Sequence, residues 1–310
     1  MNNKLRTALY FFSGAAIAAV TITTLAFRDG SKNDGAVDVK EDGKIQYRWY
    51  QPEMPKTLSF AGERVPLERW DVRERLEREM IINYYMHGTT LYILKLKSRY
   101  FPMIEQKLKA NGVPDDFKYL CVAESALQHQ TSAVGAASFW QFMKDTGPRY
   151  GLEINDDVDE RYNVKKATDA ACMYFKEAYG KFLSWTAAAA SYNCGQAGYS
   201  RQADYQGKSN YYDLAFPEET NRYIYRILAL KVLLSEPHKY GYILQNSEEY
   251  KPIKTRILTI DTTIHNLAAF AQDNGSSYKM LKLLNPWMRS HSLPVKKGKT
   301  YEIELPYDNQ

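Results

Sequence analysis

One acid stands out for its place in a pattern. Phe117, Leu120, Cys121 and Leu127 recur at the spacing of a single helix face, and Glu124 falls inside that stripe. A surface carboxylate belongs on the opposite face. Desolvation among apolar neighbours disfavours the charged form and raises a carboxyl pKa, which lets a general acid keep its proton near neutrality. Spacing alone leaves a second reading open, a helix-edge Glu paired with a distant Lys or Arg. Other chemistry is sparse. Cys121, Cys172 and Cys194 lie in apolar helical contexts, where Cys acts as a small hydrophobe, and neither they nor the five His show metal-ligand spacing. No metal and no cofactor is expected. Asp145, Asp156, Asp157, Asp159 and Glu160 sit in no motif that suggests a second catalytic carboxylate, and Asp159-Glu160-Arg161 reads as a local ion-pair and capping element.

Helices must position that acid. The pattern predicts helices over Trp70 to Met86 and Thr90 to Ala110, parted near Gly88. Pro114-Asp115-Asp116 opens a third, with Pro in the first turn and acids at the positive helix end. A fourth runs from Val164 to Tyr179 with an alanine face, and the Ala187 to Ala190 run ends at Cys194-Gly195. A further helix spans Thr220 to Ser235 before Pro237. Then the character changes: strand Thr255 to Ile260, helices Thr262 to Asp273 and Ser277 to Leu284, and an alternating strand Tyr301 to Leu305. These elements give a mainly α catalytic domain over 67–236, followed by a small α+β unit of βααβ order over 253–308. Residues 28–66 and 237–252 read as linkers.

The N-terminus points to export. Lys4 and Arg6 precede an uncharged run from Ala8 to Phe27, so residues 1–27 read as a signal peptide or signal anchor. The expected location is the periplasm or cell envelope, with membrane association possible through residues 8–27. The 310 residues are 45% hydrophobic, an ordinary globular share, and the net charge of +5 comes without a Lys/Arg block, so nucleic acid is not implied. Twenty-five tyrosines suit helix packing and sugar-lined grooves equally.

Four motifs in order carry a resemblance. The segment AESALQHQTSAVGAASFWQFMKDTGPRYGL (123–152), then DERYNVKKATDAACMYF (159–175), SYNCG (191–195) and ETNRY (219–223), resembles the lysozyme-like (goose-type, SLT) lytic transglycosylases, and their membrane-bound type D branch most of all. The resemblance implies that Glu124 is the single catalytic acid and that Ser125 helps fix its position. It implies Gln141 and Met143 as groove-lining residues, Gln141 as a hydrogen-bond donor to substrate. Tyr192 and Asn193 would face the acid and the sugar's acetamido group, and Tyr223 would lie close to the acid. The implied partner is peptidoglycan glycan, cut between N-acetylmuramic acid and N-acetylglucosamine to leave 1,6-anhydro ends. A hydrolytic muramidase and a non-catalytic wall binder are the alternatives. The C-terminal unit resembles a LysM module, with Asn285-Pro286 matching and the usual Gly-Asp replaced by Asp261-Thr262-Thr263. It is expected to be separable from the catalytic domain. Among the departures, Ser138 matters most, because it stands where the family has Gly and where a side chain meets a backbone restraint.

Overall fold

The computed structural model describes residues 37–39, 45–47 and 49–307. The signal or anchor expected over residues 1–27 lies outside them. Among the described residues no helix is long and apolar enough to cross a membrane. The chain divides into two compact units, Met1–Gln51 and Pro52–Gln310. In the first, β1 (Val37–Val39) pairs antiparallel with β2 (Ile45–Tyr47).

The second unit is mostly helical, as the sequence pattern predicts. Helix α1 (Trp70–Tyr85) and α2 (His87–Ala110) are parted at Met86, just before the break expected near Gly88. Helix α3 (Phe117–Ser125) carries Glu124, and α4 (Val164–Phe182) continues through Gly180 to a left-handed cap at Leu183. Then come α5 (Trp185–Cys194), α6 (Gln196–Gln206) and α7 (Glu218–Ser235). The sequence pattern gave no sign of α6, because its single buried residue, Tyr199, leaves no apolar stripe to see.

Alanines set the packing of the bundle's centre. Ala187 to Ala190 on α5 and Ala167, Ala170, Ala171 and Ala178 on α4 are all buried, so two helix backbones approach closely around Phe175 and Trp140. Side chains without rotamer freedom lose no entropy in such a contact. Ser184 caps α5 by accepting from the Ala187 N–H, and Asn163 caps α4 by accepting from the Lys166 N–H.

Part of the expected linker is core. Strands β3 (Ser59–Phe60) and β4 (Glu63–Arg64) form a tight hairpin within residues 52–66. Phe60 is fully buried, 5.2 Å from the Phe117 ring at the start of α3. Glu63 accepts from the Trp185 N–H, the Thr186 N–H and the Ser184 hydroxyl, so its carboxylate neutralises the positive end of α5. Two apolar residues between Gly and Pro signals do not reveal such a role in sequence. The second expected linker, 237–252, also packs: Tyr240 and Tyr242 are buried and bond to the carbonyls of Glu53 and Tyr84.

The C-terminal module holds β5 (Thr255–Ile260), α8 (Leu267–Asp273), α9 (Tyr278–Leu284) and β6 (Tyr301–Pro306), with β5 and β6 antiparallel in the register Ile260 to Tyr301. Helix α8 starts later than expected, since Ile264 is taken up by a bridge to Leu293 and Asn266 supplies the cap. Asn285 is fully buried and uses its side chain as a peptide would. Its amide donates to the Leu281 and Glu304 carbonyls while its oxygen accepts the Glu304 N–H. The small core of Leu267, Leu281, Trp287, Met288 and Ile303 includes Val158 from the catalytic part, which is 1% exposed. The module is therefore docked, not merely attached.

Phe60→Ala should destabilise the protein by about 3–5 kcal/mol through the lost ring and the cavity it leaves. Equilibrium urea unfolding of residues 28–310 measures this, and a tether-like segment would give a change near zero.

Candidate active site

The acid sits at the last turn of its helix. Helix α3 ends at Ser125, and Ala126 and Leu127 both take left-handed backbone, at φ 51° and 58°. Leu127 is buried as the stripe predicts, but it lies past the helix end and reaches the core by a different route. This abrupt stop leaves Glu124 half-buried with one side toward solvent.

Electrostatics at Glu124 are set by what is absent as much as by what is near. Its carboxyl pKa is raised from 4.5 to about 7, first by desolvation, against the Tyr223 hydrogen bond and the charge of Arg226, with Glu219 adding to the rise. The Tyr223 hydroxyl donates to Oε1. Among the described residues no Lys or Arg forms an ion pair with Glu124. Arg226 is instead occupied by Glu219 at 2.9 Å and by the buried Glu79 at 3.8 Å, so its positive charge is spent elsewhere. Burial and the Glu124 charge also push the Tyr223 and Tyr192 phenols well up, so both remain neutral donors.

A twice-bridged loop carries Gln141 and leads into Met143. Backbone bridges Thr131 to Ala137 and Ala137 to Phe142 fold residues 131–142 back on themselves. Ser138 adopts φ 67° and Gln141 φ 49°, so four of the six non-glycine residues with positive φ among those described lie between Ala126 and Gln141. Strain concentrated there is a mark of a functional loop. At Ser138 the side chain compensates for the conformation. Its hydroxyl bonds His129 Nδ1 at 2.8 Å, and its N–H donates to Gln130 O at 2.6 Å. The hydroxyl bond to His129 is what a Gly at this position would lack.

The expected site residues do not all play the expected parts. Tyr192 lies beside the acid, its hydroxyl donating to Trp140 O at 2.7 Å and its ring packed on Tyr174 and Phe175. Asn193 accepts from Thr220 Oγ1 at 2.7 Å, and its amide hydrogens have no protein acceptor among the described residues. They are the donors left for a ligand carbonyl. Met143 is 40% exposed beside the loop. Gln141 differs from expectation: its NH2 group donates to Ser138 O at 2.7 Å and to Gln130 O at 3.2 Å. Both hydrogens are used to close the loop, so the group left for substrate is the carbonyl acceptor. The Ser125 hydroxyl is buried and donates back to Cys121 O at 3.3 Å, at the end of the helix that carries Glu124.

Sequence reasoning missed several residues. His129 and Thr220 orient Ser138 and Asn193 and carry no signal in spacing. Glu79 is fully buried against Arg222 at 2.6 Å, and it did carry a signal, since it shares a stripe with Val72, Leu76 and Met80. Arg161 was read as local. Its fork on Asp159, at 2.7 and 2.9 Å, is local indeed, but Nη1 also donates to Gly135 O and Phe142 O in the loop. Among the described residues no group of three or more His, Cys, Asp or Glu is arranged to hold a metal. A cavity of about 660 Å³ lies elsewhere, between α2, the start of α4 and the C-terminal module. Lys107, Lys165 and Lys166 on its wall are paired with Asp169, Glu304 and Glu160, and Glu124 does not line it.

The sequence that builds this site has relatives. Residues 101–215 match the transglycosylase SLT domain family, which spans Glu124, the loop and the Tyr192-Asn193 helix end. Residues 256–309 match the soluble lytic transglycosylase C-terminal LysM-like domain. The chain carries an SLT domain and a LysM-like module. It is also 27% identical over 244 residues to the membrane-bound lytic murein transglycosylase D of Escherichia coli K12, and to the protein of the same name in a second Escherichia coli strain. The match covers 76% of this chain and 52% of those proteins, so the chain spans about half the length of the curated relatives it matches. Tyr223, which bonds the acid, lies beyond the part matched as the SLT domain.

Ser138 and Glu124 each yield a stability test. Ser138→Ala keeps the left-handed backbone and loses the His129 bond, whereas Ser138→Gly loses the same bond and relieves the strain. The alanine variant should be less stable than the glycine variant by about 1 kcal/mol, read from paired urea melts. For Glu124 the folded pKa lies above the unfolded value, so its stabilising effect is full below about 4.5 and lost as pH rises through about 7. Glu124→Gln should therefore match the parent at pH 4 and exceed it at pH 8, by on the order of 1–3 kcal/mol. Equal stability of the two proteins at pH 8 would show that the carboxyl is not desolvated.

Proposed function

We propose that this protein is a peptidoglycan lytic transglycosylase that cleaves the bond between N-acetylmuramic acid and N-acetylglucosamine without water, with Glu124 as acid and then base. The observation that carries this reading is a solvent-reachable carboxyl whose pKa is raised to about 7, bonded to a phenol and, among the described residues, to no cation. In the first step Glu124 gives its proton to the bridging oxygen, which leaves with the departing sugar. The positive charge left on the muramic acid ring is stabilised by its own acetamido group and by nearby dipoles. Glu124, now a carboxylate, takes the proton of the C6 hydroxyl, and that oxygen closes on C1 to give the 1,6-anhydro ring. The acid is regenerated with its proton, and no water is consumed.

The other residues support these transfers. The Tyr223 hydroxyl donates to Oε1, which stabilises the carboxylate between the two steps and fixes which oxygen faces the substrate. Asn193 offers amide hydrogens to an acetamido carbonyl, and Gln141 offers an acceptor to a sugar hydroxyl or N–H. A glycosidase using water needs a second carboxylate as base or nucleophile. Here Asp159 and Glu160 are buried in pairs with Arg161 and Lys166, and Asp145 is exposed beyond the loop. The LysM-like module fits glycan strands as the partner. An uncharged run over residues 8–27 fits delivery to the periplasm or cell envelope, with residues 1–27 as signal or anchor. The domain reading that goes with this is catalysis over 67–236 and the LysM-like module over 253–308, with core contributions from 52–66 and 237–252.

Digestion of purified sacculi by residues 28–310 should release 1,6-anhydromuropeptides, and mass spectrometry identifies them by the missing water. Only hydrolysed reducing ends would make the enzyme a muramidase. Glu124→Gln should lower activity by at least about a hundredfold. Parent activity should fall as pH climbs through about 7, where the acid loses its proton. A folded Glu124→Gln protein with near-normal turnover would assign the acid to another group.

A further inference from the structure

The seam between the catalytic part and the C-terminal module runs through one loop, residues 153–162, and both sides of that loop are engaged. On the module side, Val158 is buried among Trp287, Met288 and Leu267 and forms a backbone bridge with Met288. The Asp159 N–H donates to Trp287 O at 2.8 Å, and the Arg289 N–H donates to Asp157 O at 2.7 Å. Tyr301 donates to Glu153 at 2.8 Å, and Lys299 pairs with the same carboxylate. The Arg289 guanidinium lies 4.5 Å from the centre of the Tyr162 ring. On the catalytic side, Arg161 reaches Gly135 O at 2.8 Å and Phe142 O at 3.1 Å, and Tyr162 shares a 2.7 Å hydrogen bond with Thr131. Thr131 and Phe142 are the two ends of the bridged loop that presents Gln141, and Gly135 lies within it.

Asp159 joins the two halves. Its N–H is held by the module, and its carboxylate holds Arg161 in a bidentate fork. Asp159 and Arg161 are 7% and 8% exposed, so the fork is shielded from water and rigid. The chain Trp287 carbonyl, Asp159, Arg161, Phe142 carbonyl thus runs without a gap from the module to the residue after Gln141. A guanidinium suits this place because its planar fork serves a carboxylate and two carbonyls at once, which an ammonium cannot do with the same geometry.

We propose that the C-terminal module acts on turnover by bracing the active-site loop, with Arg161 as the positioning residue that transmits the brace. The loop is strained at Ser138 and Gln141, and strained backbone persists only when its surroundings over-determine it. Undocking the module removes one of those restraints. The consequence falls on the chemical step, since displacing a positioned group by about 1 Å costs up to roughly a hundredfold in rate. A module that only tethers glycan affects apparent affinity instead.

The kinetic part rests on the transglycosylase reading, whereas the structural part needs no substrate. Val158→Asp places a charge in the module's core and breaks the seam without touching Glu124 or Arg161. Full-length protein is compared by hydrogen exchange with mass spectrometry and by turnover of soluble, uncrosslinked glycan strands. The expected result is faster exchange over residues 131–142, unchanged exchange over 164–194, and kcat about tenfold lower with KM within about twofold. Arg161→Lys, which leaves the apolar seam intact, should reproduce the loop exchange and the kcat loss, and Val158→Ala, a milder opening of the seam, decides the module's part if Val158→Asp fails to fold. Loop exchange at the parent rate in an undocked or Arg161→Lys protein overturns the brace, and so does a loss confined to KM. If no anhydro product forms in the parent while the exchange responds as expected, the brace stands and the transglycosylase reading alone fails.

Discussion

A carboxyl group half-withdrawn from water, with no cation paired to it among the described residues, is the constraint around which this protein is arranged. Glu124 keeps a proton to about pH 7 because desolvation outweighs the phenol bond and the distant Arg226 charge. That balance is easily lost. A guanidinium moved onto Glu124 would pull its pKa down and leave a permanent carboxylate with no proton to give. Arg222 and Arg226 stand on the same helix as Tyr223, and both are directed to Glu79, with Arg226 also held by Glu219. The charge of Arg226 reaches Glu124 only from a distance, and it is outweighed there by desolvation.

Most of the surrounding structure serves to hold geometry at the end of one short helix. Helix α3 has nine residues, and its start is fixed by the Phe60 ring and by Asp116, which accepts from the Ala61 N–H and from Lys231. Its far end is fixed by left-handed residues and by the Gln130 amide on Ser125 O. The alanine faces of α4 and α5 bring Tyr192 within reach of the acid, because small side chains allow the two backbones to come close. The loop of residues 131–142 is then closed by side-chain amides and hydroxyls on carbonyls, not by a long β-ladder. Such a loop depends on its neighbours for its shape, which is why the docked LysM-like module bears on the site at all.

The same apolar-stripe argument marks Glu79 and Glu124 alike, yet the structure gives them opposite electrostatic fates. Glu79 follows Val72 and Leu76 on α1 as Glu124 follows Phe117 and Leu120 on α3. Each is an acid on a buried face. One meets two arginines and is a structural ion pair, and the other meets a tyrosine and keeps its proton. Periodicity reports burial, and burial alone does not tell a salt bridge from an acid.

Sequence by itself determined the helix periods, the βααβ order of the C-terminal module, and the acid's place on a buried face. These follow from local rules, in which each residue's neighbours lie three or four positions away or alternate along a strand. The ordered motifs pointed to two domains, and the matches show an SLT domain over residues 101–215 and a LysM-like domain over 256–309. Only the tertiary structure decided what surrounds each candidate. It turned Ser125 inward, committed the Gln141 hydrogens to the loop, made the Phe60 hairpin part of the core, and carried Val158 into the module. Phe60 and Val158 meet partners far along the chain, Phe117 and Met288, and Gln141 rests on a left-handed backbone angle with no side-chain signature. The Ser125 bond to Cys121 spans only one helical turn, but a hydroxyl at a helix end has other partners open to it until the chain folds. The physical reason is the same throughout. Hydrogen bonds and charge pairs are short-ranged in space and indifferent to sequence separation, so the chain must fold before it is settled which donor meets which acceptor.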